Sequence, residues 1–565
     1  MNALSVYDNR SDQSLVDNCG GAGAGGIDSL ITGCQRCLAC GPCCAVLALQ
    51  TQFEIFSIHS HRGPNIVQTA SYDVTVIGGG NAALCAALSA KELGANVLVL
   101  ERAPRERRGG NTAFSGGSYR TVYRGAEDIR KLVPDLTEEE IAHTDFGEYT
   151  AEMFLDDLGR VTQYHTDPDL SEILVRQSAD TMLWLRQKGI RFAAKYGRQA
   201  FKQDGRFKFF GGLAIEAAGG GRGLVEAFFK AAERRGIPVR YGTQAIGLLR
   251  GRSAIEGVRA VVDGAEEQIR SRAVVLACGG FEANREWRTS CLGAGWDLAK
   301  VRGTRYNTGD GLRMALDIGA QPVGQWSGCH AVSWERYAPD FGDLDALGDG
   351  QRHSYPMGIM VNADGMRFVD EGADFRNYTY ARYGRILLQQ PGGYGWQVFD
   401  SQGAKFLREE YKVRGVTKVS ANTIEELASR LEGVDPVAFL KTVREYNGAI
   451  RRDVPFNPNI KDGRCTANLA INKSNWATPI EVPPFEAYAI GTAITFTYGG
   501  LKIDTTTRVL DIADAPLPGL YAAGELVGGI FYFNYPAGSG LTCGAVYGRI
   551  AGHQAAAFAC GSRAA

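Results

Sequence analysis

The sequence predicts an α/β protein built on a Rossmann-like dinucleotide-binding domain. Two observations carry that prediction. From Tyr72 the stretch "YDVTVIGGGNAALCAALSAKELGANVLVLER" reads as a buried strand, a glycine turn, a helix and a second strand ending at Glu101. Further apolar strands that run into glycines recur downstream, in "AVVLACGGF" (273–281) and "PGLYAAGELVGG" (518–529). The 565 residues allow two or more domains at a typical size of roughly 100–200 residues each. Hydrophobic residues make up 45%, enough for a large core.

The first turn carries the chemistry. Gly78, Gly80 and Ala83 fill a G-x-G-x-x-G/A pattern. The first glycine permits the tight turn, the second lets a pyrophosphate approach the backbone, and the alanine lets helix and strand pack closely. Asn81 and Ala82 open the helix, whose unpaired N–H groups and positive dipole end suit phosphates. Glu101, 23 residues after Gly78 and followed by Arg102, is placed to accept hydrogen bonds from ribose hydroxyls.

The remaining cofactor candidates lie further along. "RRGGNTAFSGGS" (107–118) is a second small-residue loop, supplying Gly109, Gly110, Asn111, Thr112, Gly116 and Gly117. Ala245, Ala277 and Gly279 belong to later strand ends, and "NTGDGLRMALDIGA" (307–320) is a polar turn opening a helix at Asp310. Gly524 and Glu525 end the last strand, and the turn "FNYPAGSGL" (533–541) adds Ser539 and Leu541. Strand ends lined with glycine and spread over about 450 residues suit a long, extended cofactor better than a compact Rossmann half.

Together these segments resemble the fumarate reductase and succinate dehydrogenase flavoprotein family, from about residue 72 to 561. The resemblance implies FAD, with Glu101 on the adenosine ribose and Asp310 and Glu525 near the ribityl and pyrophosphate. Ser539 and Leu541 would aim backbone N–H groups at a flavin carbonyl. Membrane-bound succinate dehydrogenases tether FAD to a histidine in the loop matching "GGNTAFSGGS". No histidine lies between His61 and His143 here, so the flavin is expected to be noncovalent. The FAD-binding domain is expected to be split, 71–326 and 488–565, around an inserted α+β capping domain at 327–487.

The reacting end follows from the same resemblance. Soluble fumarate reductases move the substrate proton with an arginine a few residues beyond a "VN..G.RF..E" hairpin; here that hairpin is "VNADGMRFVDE" and the arginine is Arg376. Arginine normally stays charged, so it must be desolvated and joined to a relay, with Glu371, Asp374 and Arg367 as candidates. Two departures matter. Phe496 stands where those reductases carry a histidine, and Tyr535 where they place a carboxylate-clamping arginine. The C-terminal string resembles two other branches, the FAD-dependent tricarballylate dehydrogenases with the related precorrin-3B synthase flavoprotein half and the 3-ketosteroid dehydrogenases, and the stretch from "VIGGGNAAL" to "GGNTAFSG" favours the tricarballylate branch. The expected reaction is oxidation of a saturated C–C bond beside a carboxylate, best represented by tricarballylate to cis-aconitate. His330 is a candidate carboxylate ligand, and equally a structural histidine. The alternatives are a 3-ketosteroid-type dehydrogenase with Tyr535 on the ketone, a fumarate reductase-like enzyme, and a flavin electron-carrier subunit. Electrons are expected to pass to a separate membrane-bound iron–sulfur and haem protein.

Composition narrows the partners. With 61 basic and 62 acidic residues, no charge excess points to nucleic acid. No run reaches the roughly 18 apolar residues of a membrane span, and "MNALSVYDNRSDQS" lacks a signal-peptide pattern. Thirteen cysteines, six of them before residue 45, suit a reducing, cytoplasmic setting. Cys34, Cys37, Cys40 and Cys44 have ferredoxin-like spacing, but no proline follows and no second run exists. The expectation for residues 1–70 is therefore a disordered extension, or a start codon placed too early, and no metal site is assigned.

Overall fold

The computed structural model describes residues 67–68 and 71–561, apart from 211, 346–349 and 414. The Cys34–Cys44 run lies outside the described residues.

The α/β, Rossmann-like class is as predicted. β1 (Tyr72–Ile77) leads to α1 (Asn81–Glu92) and β2 (Val97–Leu100). α1 buries every residue from Asn81 to Ala90, because its small apolar side chains let it lie against the sheet and a second helix at once. α2 (Gly220–Arg234) precedes β3 (Val239–Arg240), and β4 (Thr243–Arg250), β5 (Ile255–Val262) and β6 (Ala265–Leu276) follow. The strand order is β3-β2-β1-β6-β5-β4, parallel from β3 to β6 and antiparallel beyond.

Next come α3 (Asp310–Leu316), β7 (Pro322–Glu335), β8 (Ile359–Asn362), α4 (Tyr380–Leu388), β9 (Gly395–Phe399), β10 (Lys418–Ala421) and β11 (Phe485–Leu501). β11 is the spine of a second sheet and pairs antiparallel with β7, β9 and β10, while β8 joins β9. β12 (Arg508–Leu510) and β13 (Pro516–Ala522) then return to the first sheet, where β13 adds parallel to β6 with Leu276 opposite Ala522. The boundaries drawn at 326/327 and 487/488 fall inside β7 and β11, not in linkers.

α5 (Ser539–Gly561) packs along α1 through glycines four residues apart. A methyl at Gly548 would meet the Ala82 carbonyl oxygen at 2.4 Å, and one at Gly552 the Ala86 oxygen at 2.0 Å. Only glycine lets the two backbones come this close.

Two local readings change. The apolar spacing of "DLSEILVRQSADTMLWLRQKGIRF" (169–192) reads as one long amphipathic helix, whereas the structure holds two, Pro168–Arg176 and Ser178–Gln187, meeting at Gln177. Ser178 explains the break: its hydroxyl donates to the Val175 carbonyl and accepts from the Val122 N–H, competing with helical bonding. The second strand of the "VNADGMRF" hairpin shrinks to one bridge, Val361 to Arg367. There Arg367 turns to an ion pair with Glu371 instead of continuing the ladder. Thr423 caps the helix Ile424–Arg430, accepting from Glu426 N at 3.1 Å. Among the described residues no helix is long and apolar enough to cross a membrane.

Candidate active site

A long cleft opens at the carboxyl ends of β1, β2, β6 and β13 and runs to β11 of the second sheet. A strand-end cleft is where open α/β sheets bind ligands. Its two ends have different chemistry.

One end is glycine and carboxylate. Gly78 has φ +110°, a region that favours glycine, and a methyl there would meet the Ala277 oxygen at 2.4 Å. At Gly79 a methyl would meet Oε2 of Glu101 at 2.3 Å. Glu101 is buried, which raises its carboxyl pKa, and Oε1 accepts from Ala103 N at 2.8 Å. Asp310 accepts from Arg102 and from Gln244, each at 2.9 Å. Glu525 accepts from Thr497 N at 2.8 Å beside buried Glu282. Burial first, and then the Glu282 charge, push Glu525 well above the usual carboxylate range.

Asn81 ties three segments together at the head of α1. Its backbone N–H donates to Thr112 Oγ1 at 3.0 Å, its Nδ2 donates to the Leu541 carbonyl at 2.8 Å, and its Oδ1 accepts from Tyr119. Asn111 likewise donates to Glu282 and to the Thr495 carbonyl and accepts from Thr304 N. Gly80, Ala82, Gly110, Gly116, Ala245, Gly279 and Gly524 also line this cleft. Such a cradle, long, backbone-lined and headed by a helix without acids in its first turn, fits FAD.

Four of the expected cofactor contacts shape the cleft without lining it. Ala83 is fully buried where α1 packs. Gly109 and Gly117 have φ of +101° and +68°, and side chains there would strike Val225 and the Gly220 backbone. Ser539 is a correction: it is buried, and both its N–H and its hydroxyl bond the Pro536 carbonyl, so its N–H is not offered to a ligand. Leu541 does line the cleft.

The other end is aromatic and cationic. Arg376 begins the turn Arg376–Tyr378, with its guanidinium 5.3 Å from the Tyr380 ring centroid and Nη2 donating to Gln199 at 3.3 Å. Tyr535 is 7% exposed and lines the cleft, its hydroxyl hydrogen-bonded to that of Tyr380. Burial, and then Tyr380, hold the Tyr535 phenol well above its usual pKa, so it stays neutral. Arg302, Gln351, Tyr380, Phe496 and Lys195 also face this end. Sequence reasoning did not single out Arg302, Gln351, Tyr380 or Lys195, since no local motif marks them. Of the expected relay, Glu371 is engaged by Arg367 and by Met360 N, and Asp374 by Arg160.

His330 does not line the cleft. β7–β11 register sets it opposite Phe496, whose ring stacks on it at 5.2 Å, and the Tyr380 and Tyr535 rings close the other sides at 4.9 and 4.8 Å. It is 0% exposed, neither ring nitrogen has a hydrogen-bond partner, and burial drives its pKa well below the usual value. It stands behind the aromatic wall as a neutral packing ring.

The FAD binding domain family matches residues 73–541. The chain is 30% identical over 495 residues to a probable fumarate reductase of Shewanella frigidimarina, across 86% of this chain and 75% of that protein. A urocanate reductase of Eggerthella lenta is 28% identical over 514 residues, 87% of this chain and 75% of its own. Among solved structures, the open conformation of a flavocytochrome c3 fumarate reductase matches with a TM-score of 0.66 at 26% identity, covering 88% of this chain and 79% of that one. A 3-ketosteroid Δ1-dehydrogenase from Sterolibacterium denitrificans matches with a TM-score of 0.65 at 21% identity, over 86% and 100%, a likeness of fold.

Proposed function

This chain belongs to the FAD-binding family of the fumarate reductase and succinate dehydrogenase flavoproteins, an FAD-dependent oxidoreductase of CH–CH groups, and on that premise we propose that it dehydrogenates a saturated C–C bond next to a carboxylate. Tricarballylate to cis-aconitate is the specific reaction.

The observation that carries this reading is the charge of the reacting end. Arg302 and Arg376 face the cleft there, while the acids that line it, Glu101, Asp310 and Glu525, belong to the glycine-rich end. The buried Arg302 and half-buried Arg376 guanidiniums favour an anionic substrate and stabilise charge that develops beside a carboxylate. Bound FAD supplies the two-electron hydride acceptor. Arg376 takes the proton from the carbon adjacent to the one that loses hydride as it gives one of its own N–H protons onward, because a charged guanidinium accepts no further proton. Arg302, with Nε free of protein partners, orients the neighbouring carboxylate. Tyr535 donates one neutral hydrogen bond, and the Phe496, Phe531 and Tyr380 rings exclude water.

The flavin is held without a covalent link, and denaturation releases it into solution. Electrons leave to a separate protein: relatives include a flavocytochrome and a fumarate reductase described as a cytochrome enzyme. The protein acts in the cytoplasm. Anaerobic bleaching of the flavin by tricarballylate is the deciding experiment; bleaching by a 3-ketosteroid instead would replace this reading with its rival. The paired Tyr380 and Tyr535 hydroxyls favour that rival, because two linked phenols can polarise a ketone. A flavin reduced by neither compound but by a protein partner would leave an electron-carrier subunit.

A further inference from the structure

Arg376 faces two cavities. Behind the flavin cleft it also lines a small separate cavity of about 20 Å³, walled by rings that include Phe210, Phe375 and Trp476. The polar groups of this second cavity are Arg376, His353, Ser354 and Arg408, and no acidic residue lines it. His353 is 1% exposed, and its Nε2 has no hydrogen-bond partner. Arg408 is 8% exposed, with its backbone N–H donating to Ser354 Oγ at 3.3 Å.

A buried polar nitrogen without a partner costs free energy that a bound group can recover. What group fits is set by size and charge. One water needs roughly 10–15 Å³, so this cavity has room for one or two polar atoms, such as the oxygens of one carboxylate, and for no ring. Two guanidiniums at its wall favour an anion over water, since charge-assisted hydrogen bonds are about twice as strong as neutral ones. Burial, followed by Arg376, Arg302 and Arg408, holds the His353 pKa well below the usual histidine range. The neutral imidazole therefore offers a single N–H while the arginines carry the charge.

We infer that this cavity binds a carboxylate arm of the substrate, the arm farthest from the reacting carbon, between Arg376, Arg408 and Nε2 of His353. The substrate is then a polycarboxylate that reaches around Arg376 from one cavity into the other. This rests on the carboxylate dehydrogenase reading above and adds the residues that select chain length and charge. Arg376 sits at the junction, so one guanidinium serves both the reacting bond and the remote anion.

Equilibrium dialysis of the flavin-loaded protein against tricarballylate and against succinate, which lacks one carboxymethyl arm, tests the assignment. Wild-type protein should bind tricarballylate more tightly. Arg408→Met should weaken tricarballylate roughly ten- to hundred-fold and leave succinate unchanged. His353→Phe should act in the same selective way, and His353→Gln, which keeps a donor, should restore much of the loss. If Arg408→Met does not fold, the two His353 variants decide. Equal losses for both ligands, no loss for either, or wild-type protein that binds tricarballylate no more tightly than succinate would overturn the subsite. Selective binding without flavin bleaching would instead sink the dehydrogenase reading and keep the subsite. Bleaching without selectivity would do the reverse.

Discussion

The two ends of the flavin cleft are built on opposite principles. The cofactor end is made of backbone: Gly78, Gly79 and Gly80 are defined by what a side chain would strike, and carboxylates from β2, β13 and α3 stand around them. The reacting end is made of side chains, with Arg302, Arg376, Tyr380, Phe496 and Tyr535 brought from four separated stretches. Backbone cradles tolerate no added atom, whereas side-chain walls tolerate changes of shape but not of charge or reach. The same cleft should therefore fail in two distinguishable ways.

The largest effect is expected at Arg376. Lysine in its place cannot match the reach and planar geometry of the guanidinium. Turnover should fall by roughly 10²–10⁴-fold, the usual weight of a positioned acid–base group, with flavin content unchanged. Steady-state rates beside flavin-to-protein ratios read both quantities, and a lost flavin would erase the contrast between the ends. Next is Gly79→Ala, whose methyl would lie 2.3 Å from Oε2 of Glu101. Overpacking of roughly 1–3 kcal/mol should appear as weakened flavin binding, while protein reloaded with excess FAD regains its rate. A normal flavin affinity would show that Glu101 moves aside freely.

A smaller, purely reacting-end effect is expected for Tyr535→Phe. It removes the hydroxyl shared with Tyr380 and should reduce kcat/KM by an amount equivalent to roughly 1–3 kcal/mol, with flavin retained. Unchanged kinetics would make Tyr535 a packing residue only. The smallest effect is on stability. His330 and His353 are held well below the ordinary histidine pKa of about 6.5 chiefly by burial. Between their folded pKa values and 6.5 the unfolded chain binds protons that the folded chain refuses. Stability is thus complete above about pH 6.5 and declines as pH falls below it. His330→Phe should flatten that decline in urea titrations at several pH values; an unaltered slope would mean that the ring is protonated in the fold.

Much of the cofactor end was legible because each of its parts is local. The turn from Gly78 to Ala83, the acid at Glu101 and the strand ends at Gly279 and Gly524 each follow from a few consecutive residues. Ser539 was misjudged because its N–H belongs to the Pro536 turn, a bond that depends on how α5 begins. The reacting end was legible only where a resemblance supplied Arg376 and Tyr535. Arg302 follows the short strand Lys300–Val301, which enters the site by pairing with Ala493 and Ile494 of β11. His330 loses its expected role through register as well, since its pairing with Phe496 turns the ring into the wall. Strand pairing across more than 150 residues sets these placements, and no window of sequence contains it.

The bond from Asn81 to Leu541 joins residues 460 apart in the chain. During synthesis at roughly 5–20 residues per second, the fingerprint turn emerges some 20–90 s before the segment that closes over it. Throughout that interval the face of α1 that Gly548 and Gly552 will cover stands bare, a greasy stripe with no partner. Cofactor capture is therefore a late event in the life of each molecule, fixed by long-range closure and slow for that reason. A lesion anywhere in the last helix acts, in effect, on the first turn.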